Sequence, residues 1–151
     1  MVKEPKKNHV RVKAYADIDC ANSAIAMAYS APDITPEIKT ELENIMKQLL
    51  SAGAEIATAT KESAQRILDR RLKNRIDENH VTALEQAIDR VEEKLKPLTT
   101  FILPGGSDCA SRLQFARVMV RRVEASLLDL IDSKEPVSEE ILSYFNRLSD
   151  Y

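Results

Sequence analysis

The chain has no tryptophan, only three glycines and only two cysteines in 151 residues, and aromatics make up 5% of it. Sheets draw on Val, Thr and aromatics, so this shortage argues against a β-rich fold. Ala, Leu, Glu, Lys and Arg dominate instead, and these favour helices. No apolar run approaches membrane-spanning length, and the opening "MVKEPKKNH" has no apolar h-region of signal-peptide type. The formal charge of −2 gives no global attraction to nucleic acid or to an anionic membrane. Cys20 and Cys109 therefore read as free thiols in a cytoplasmic protein, each packed as a small buried apolar side chain. The length suits one domain with a real core, expected over residues 10–151 behind a charged, mobile lead-in over residues 1–9.

What is present is helical periodicity. From residue 10 to about residue 31, Val12, Tyr15, Asp19, Asn22, Ala26 and Tyr29 share one seam, with Ile18 and Ile25 beside it. "APDITPE" breaks the chain and restarts it: Thr35 is a good N-cap, Pro36 takes the first helical position and Glu37 the first turn. Ile38, Leu42, Ile45, Leu49 and Leu50 follow, and the helix can run past Gly53 toward Ala57. Residues 58–80 suggest a short amphipathic helix or loop; their arginines are diluted by acids and not interleaved with aromatics, which favours a solvated face over a nucleic-acid site. A further helix is expected over residues 82–96, ended by Pro97, and "LTTFILPGG" reads as an extended connector. Ser107 or Asp108 caps the next helix, whose stripe of Leu113, Ala116, Val120, Val123, Leu127 and Leu130 alternates steps of three and four. Ser138 caps the last, with Ile141, Leu142, Phe145 and Leu148 inward. The fold class is all-α, a bundle of about five helices with short connections.

One helix carries more than a core stripe. Arg117, Arg121 and Glu124, spaced four and three apart, form a second stripe beside the apolar one, and Arg122 adds a further guanidinium. Such a flank lies in a cleft or at a subunit boundary, where a guanidinium needs a carboxylate or phosphate partner. The plainer reading is an intrahelical Arg121–Glu124 pair with the other arginines in solvent. Asp19, on the semi-apolar seam of the first helix, invites a cation, and Arg117 is a natural candidate unless that seam faces water. Asn146 and Asp150, four apart in the last helix, pose the same question. Phe101, read without further context, is a core aromatic at a chain reversal.

"FILPGGS", then "LQFARVMVRRVE", then "NRLSDY", preceded by "RVKAYADIDCANS", occur in an order that resembles the PduO-type ATP:cob(I)alamin adenosyltransferases. The resemblance covers most of the chain from Arg11 onward. It implies a five-helix up-and-down bundle of ferritin-like type, assembled as a homotrimer with active sites between subunits. It implies transfer of the 5′-deoxyadenosyl group of ATP to the cobalt of a reduced corrinoid, forming adenosylcobalamin, with triphosphate leaving, magnesium accompanying ATP and a flavin-type reductase supplying electrons. Mapped by motif, Phe101 matches the phenylalanine beneath the corrin, Arg117 and Asp19 a salt bridge across the trimer interface, and Arg121 an ATP-phosphate ligand. Arg122 and Glu124 lie beside it, Glu124 toward magnesium, and Asn146 matches an asparagine at the nucleotide. Three positions depart from the pattern: Cys20 and Ala21 replace Glu and Leu, and Gln114 a His. The family's glycine-rich nucleotide loop has no counterpart before Arg11, and its last helix continues beyond "NRLSDY". A non-catalytic corrinoid binder on the same trimer is therefore the alternative to the enzyme, and the retained arginines favour the enzyme. A purely structural bundle is the third reading.

Overall fold

Each helix starts at a polar side chain that can take up an orphan backbone N–H. In the computed structural model, which describes residues 9–58 and 75–151, five helices and no strand form among the described residues: α1 Val10–Tyr29, α2 Pro36–Thr58, α3 Glu78–Glu92, α4 Asp108–Asp132 and α5 Glu139–Leu148. His9 caps α1 through its ring, Asp77 caps α3, Ser107 caps α4 and Ser138 caps α5. Thr35 accepts from the Ile38 N–H at 3.4 Å at the head of α2. The expected lead-in over residues 1–9, His9 apart, and most of the segment 58–80 lie outside the described residues. No helix among the described residues is long and apolar enough to cross a membrane.

α1 lies between α2 and α4, and α5 joins α4 to α3. The expected stripe of α4 is the core: Ala116, Val120, Val123, Leu127 and Leu130 are buried, with Leu113 packed at its edge. Ile141, Tyr144, Phe145 and Leu148 of α5 close over it, the rings of Tyr144 and Phe145 meeting edge to face at 6.2 Å. Burial raises the Tyr144 phenol far above its usual range, and its hydroxyl bonds Gln48 of α2. α2 continues past Gly53 as expected and buries Leu42, Ile45 and Leu49, but Leu50 is exposed.

Three expectations are corrected. The core face of α1 is Ala14, Ile18, Ala21, Ile25 and Ala28; the seam through Tyr15, Asp19 and Asn22 lies at its margin, and Asp19 is exposed. Small alanines let α2 and α4 approach this face closely, so it is buried without bulky side chains. α3 starts and ends four residues earlier than periodicity suggested, because Asp77 and His80 form a reciprocal capping box; Val91 and Leu95 are left exposed. Cys109 is a small buried side chain as expected, whereas Cys20 is exposed; both are free thiols.

The ends of the bundle are tied by charge. Arg11, 1% exposed, donates through Nη1 to the Ile56 carbonyl at 2.7 Å and through Nη2 to the Glu135 carboxylate. That guanidinium joins the start of α1, the end of α2 and the α4–α5 turn. Buried Glu55 receives Arg75 through Nε at 3.0 Å and Nη2 at 2.9 Å. At the opposite end, the α1–α2 turn clamps the N-terminus of α4. Asp33 accepts from the Cys109 N–H at 2.8 Å, and Arg112 reaches the Met27 carbonyl at 2.8 Å. Just before this clamp, Gly105 and Gly106 turn the chain with φ of +156° and +113°, a backbone that side-chain-bearing residues rarely adopt.

Glu135→Ala should leave Arg11 buried with half its partners. We expect a loss of about 3 kcal/mol in urea unfolding, against less than about 0.5 kcal/mol for Glu43→Ala, which breaks only the exposed pair with Lys47. Equal losses would show that Arg11 is not a tie. The Asp33 carboxyl is held below the ordinary carboxylate range, chiefly by a hydrogen bond from Ser107, with the Cys109 N–H adding and desolvation opposing. A depressed folded value means stability that is present above about pH 4 and lost as pH falls through the lowered value. Asp33→Asn should therefore melt below wild type at pH 7, with the gap closing in acid. A gap that stays constant down to pH 2 would remove the carboxylate from this role.

Candidate active site

With the apolar stripe of α4 turned inward, the helix must present its remaining residues outward, and these are Arg117, Arg121 and Arg122, all exposed. Phe115, Val118 and Leu128 are exposed on the same side, so the guanidinium groups stand among apolar side chains rather than in a wholly polar surface. Arg117 also edges an apolar cleft of about 230 Å³ between Ile25 of α1, Leu42 of α2, Val91 of α3, Leu148 of α5 and Tyr151. Burial raises the Tyr151 phenol, the Glu41 carboxylate adds to this, and Arg90 opposes it.

Two of the expected site residues meet. Asn146 of α5 donates through Nδ2 to Glu124 Oε1 of α4 at 3.2 Å. Its amide oxygen accepts from Arg147 Nη2 at 2.7 Å, and Arg147 in turn pairs with Asp150 at 3.3 Å. The amide is thus oriented at both ends. The intrahelical Arg121–Glu124 pair that spacing allows is not formed among the described residues. Arg121 itself carries no ion pair or hydrogen bond among them.

Phe101 is the most exposed large apolar side chain described, at 107%. Its neighbours Ile102 and Leu103 are exposed with it, so the plain reading of a core aromatic does not apply. Asp19 and Arg117 do not pair within the chain: Asp19 lines a cleft of about 200 Å³ with Tyr15, Asn22, Leu50 and Gly53, away from Arg117. Arg122 is engaged, its Nε lying 2.8 Å from Asp17 Oδ1.

Sequence reasoning missed Asp17, Arg147 and the ties of Arg11. Asp17 stands on the Ala14–Ile18–Ala21 row, and an acid on a buried alanine face is the signal that would have found it. Arg147 lies beside Asn146 in the same run, where the amide needs a donor to fix it. Chemically the outward face offers guanidinium groups for an anion, an oriented amide–carboxylate pair, and an apolar projection that no part of the described chain covers. Among the described residues no group of three or more His, Cys, Asp or Glu side chains could hold a metal ion alone.

Comparison with known proteins gives the chain relatives in both sequence and fold. The chain matches the profile of the family described as cobalamin adenosyltransferase over residues 2–151. It is 38% identical over 144 residues to the corrinoid adenosyltransferase PduO of Citrobacter freundii, covering 95% of this chain but only 41% of that protein. It is 36% identical over 148 residues to the corrinoid adenosyltransferase of Bacillus subtilis, covering 96% of this chain and 72% of that one. Among solved structures, a variant of the PduO-type ATP:corrinoid adenosyltransferase from Lactobacillus reuteri, complexed with cobalamin and ATP, superposes with a TM-score of 0.82 at 31% identity, over 97% of this chain and 78% of that one. A second variant of the same protein, complexed with ATP, gives 0.81. A match along almost the whole chain, in sequence and in fold alike, places this protein in the cobalamin adenosyltransferase family.

Proposed function

We propose that the protein transfers the 5′-deoxyadenosyl group of ATP to the cobalt of a reduced corrinoid, forming adenosylcobalamin and releasing triphosphate. The observation that carries this reading is the outward face of α4, where exposed arginines stand with the Glu124–Asn146 pair at their side. Named relatives with the same activity support it. Cobalt(I) supplies the electron pair for the new bond to C5′, while the C5′–O bond breaks and its own pair leaves on the triphosphate oxygen. The protein's tasks are to orient the two substrates and to meet the charge of the leaving triphosphate. Arg121 and Arg122 suit the phosphates and the Asn146 amide suits the nucleoside. Magnesium travelling with ATP would take Glu124 as its protein ligand; this ion commonly uses one or two carboxylates plus phosphate oxygens and needs no larger acidic cluster.

Phe101 belongs to the corrinoid in this reading. An apolar side chain beneath the ring excludes water and base from the lower face of cobalt, and a cobalt without that ligand is easier to reduce. The assembly belongs to the reading too. Asp19 and Arg117, unpaired among the described residues, would pair between subunits of a homotrimer built from the single domain 10–151. A flavin-type reductase would supply the electron. The two free thiols suit a cytoplasmic setting.

Mixing the protein with cob(I)alamin and ATP should produce the adenosylcobalamin spectrum; a bound corrinoid whose spectrum never changes would make the chain a binder instead. Arg121→Ala should weaken ATP binding and turnover on the order of tenfold or more. Phe101→Ala should leave ATP binding nearly intact and fail with Co(II), yet recover with chemically generated Co(I). If it weakens ATP binding as much as Arg121→Ala does, and leaves the paramagnetic cobalt signal untouched, Phe101 has no place at the metal. Sedimentation should show wild type as a trimer and Arg117→Ala as smaller species. A monomeric wild type, or an Arg117→Ala trimer of unchanged stability, would refute the proposed pair.

A further inference from the structure

Asp17 is 7% exposed, set on the alanine face of α1 that packs against α4. A buried carboxylate is costly unless ion pairs and hydrogen bonds replace its water. Here Oδ2 accepts from the Ser126 hydroxyl and Oδ1 lies 2.8 Å from Arg122 Nε. The pair is lopsided: Asp17 is enclosed, while the Arg122 side chain is 66% exposed. Its 2.8 Å contact is made by the inner nitrogen, and among the described residues the two outer ones form no hydrogen bond.

That arrangement differs from an ordinary surface salt bridge, in which the tip of the arginine meets the acid. A guanidinium is a rigid planar group, so a carboxylate held against Nε limits the positions open to both Nη groups. An arginine held in this way has already lost rotamer freedom that a free one would lose on grasping an anion. Arg121, the preceding residue, has no such anchor among the described residues. We propose that Asp17 is a positioning residue, which pins Arg122 by its Nε so that its outer nitrogens are preset to receive a phosphate oxygen of ATP. The inference rests on the functional reading of Arg122 given above.

The test is calorimetric titration of wild type, Asp17→Asn, Arg122→Ala and the double variant with ATP and with adenosine, each variant's melting temperature being checked. ATP affinity should fall about tenfold in Asp17→Asn and in Arg122→Ala, adenosine affinity should not change, and the double variant should bind ATP no more weakly than Arg122→Ala alone. Arg122→Lys serves as the control that does not disturb the buried face. Lysine can reach Asp17 only with the one nitrogen that would otherwise hold phosphate, so it too should lose about tenfold despite keeping the charge. The inference is overturned if Asp17→Asn binds ATP as tightly as wild type or more tightly, which would make the carboxylate a mere neutraliser. It is equally overturned if ATP and adenosine affinities fall together, if the two losses add, or if Arg122→Lys behaves as wild type. A wild type that binds no ATP overturns the functional reading itself and this inference with it; an unaffected Asp17→Asn in a binding wild type overturns this inference alone.

Discussion

The rotation of α4 about its own axis is the constraint on which the rest depends. Ala116, Val120, Val123, Leu127 and Leu130 are buried along one line, and full burial of a Val or Leu is worth about 1.5–3 kcal/mol each. A turn of one residue, about 100° in a helix of 3.6 residues per turn, would bring Arg117, Arg121 or Arg122 to the core face and expose the stripe. No set of exposed ion pairs at a few tenths of a kcal/mol each could offset that. The outward direction of every arginine is therefore a consequence of the apolar stripe. The clamp by Asp33 and Arg112 sets the same helix along its axis, and so fixes where the Pro104–Gly106 turn begins.

This explains which parts of the molecule could be read from the sequence. The stripe of α4 alternates bulky apolar residues with charges, so its contrast is high and its face was legible, as were the caps at Thr35, Ser107 and Ser138. α1 has no such contrast. Its buried face is largely alanine, a residue too small to stand out, and the bulkier Val12, Tyr15 and Tyr29 drew attention to the margin instead. The start of α3 depended on Asp77 and His80 forming a box, which periodicity does not reveal. The buried charges were illegible for a different reason. Arg11 meets Ile56 and Glu135 from 45 and 124 residues away, and Asp17 meets Ser126 from 109. Local pattern carries no information about pairs so distant.

The candidate site divides along the same line. Its members on α4 were legible because they share a helix with the stripe, and Asn146 because an amide in a helix asks for a reason. Their meeting was not legible, since Glu124 and Asn146 stand on different helices. Phe101 is the sharpest case. From sequence, an aromatic between a helix end and a Pro-Gly-Gly turn is most simply a core residue; in the structure it projects with Ile102 and Leu103 from the clamped end of α4. A contiguous apolar projection is a feature that folded chains normally cover with a partner or a ligand.

Two arginines adjacent in sequence end up with unlike physics for a geometric reason. Successive residues of a helix point about 100° apart, so Arg122 leans toward α1 and finds a buried acid, while Arg121 points elsewhere and finds none among the described residues. A guanidinium is weakly hydrated for a cation, so Arg121 can stand one turn from exposed Val118 at little cost and lose its water readily to an arriving anion. Arg122 brings less net charge, because Asp17 lies behind it, but a more defined direction. Under the proposed function, a polyanion met by both would encounter one unanchored charge and one anchored by Asp17. The first favours capture and the second favours orientation, which is what displacement at a single carbon of a flexible nucleotide requires.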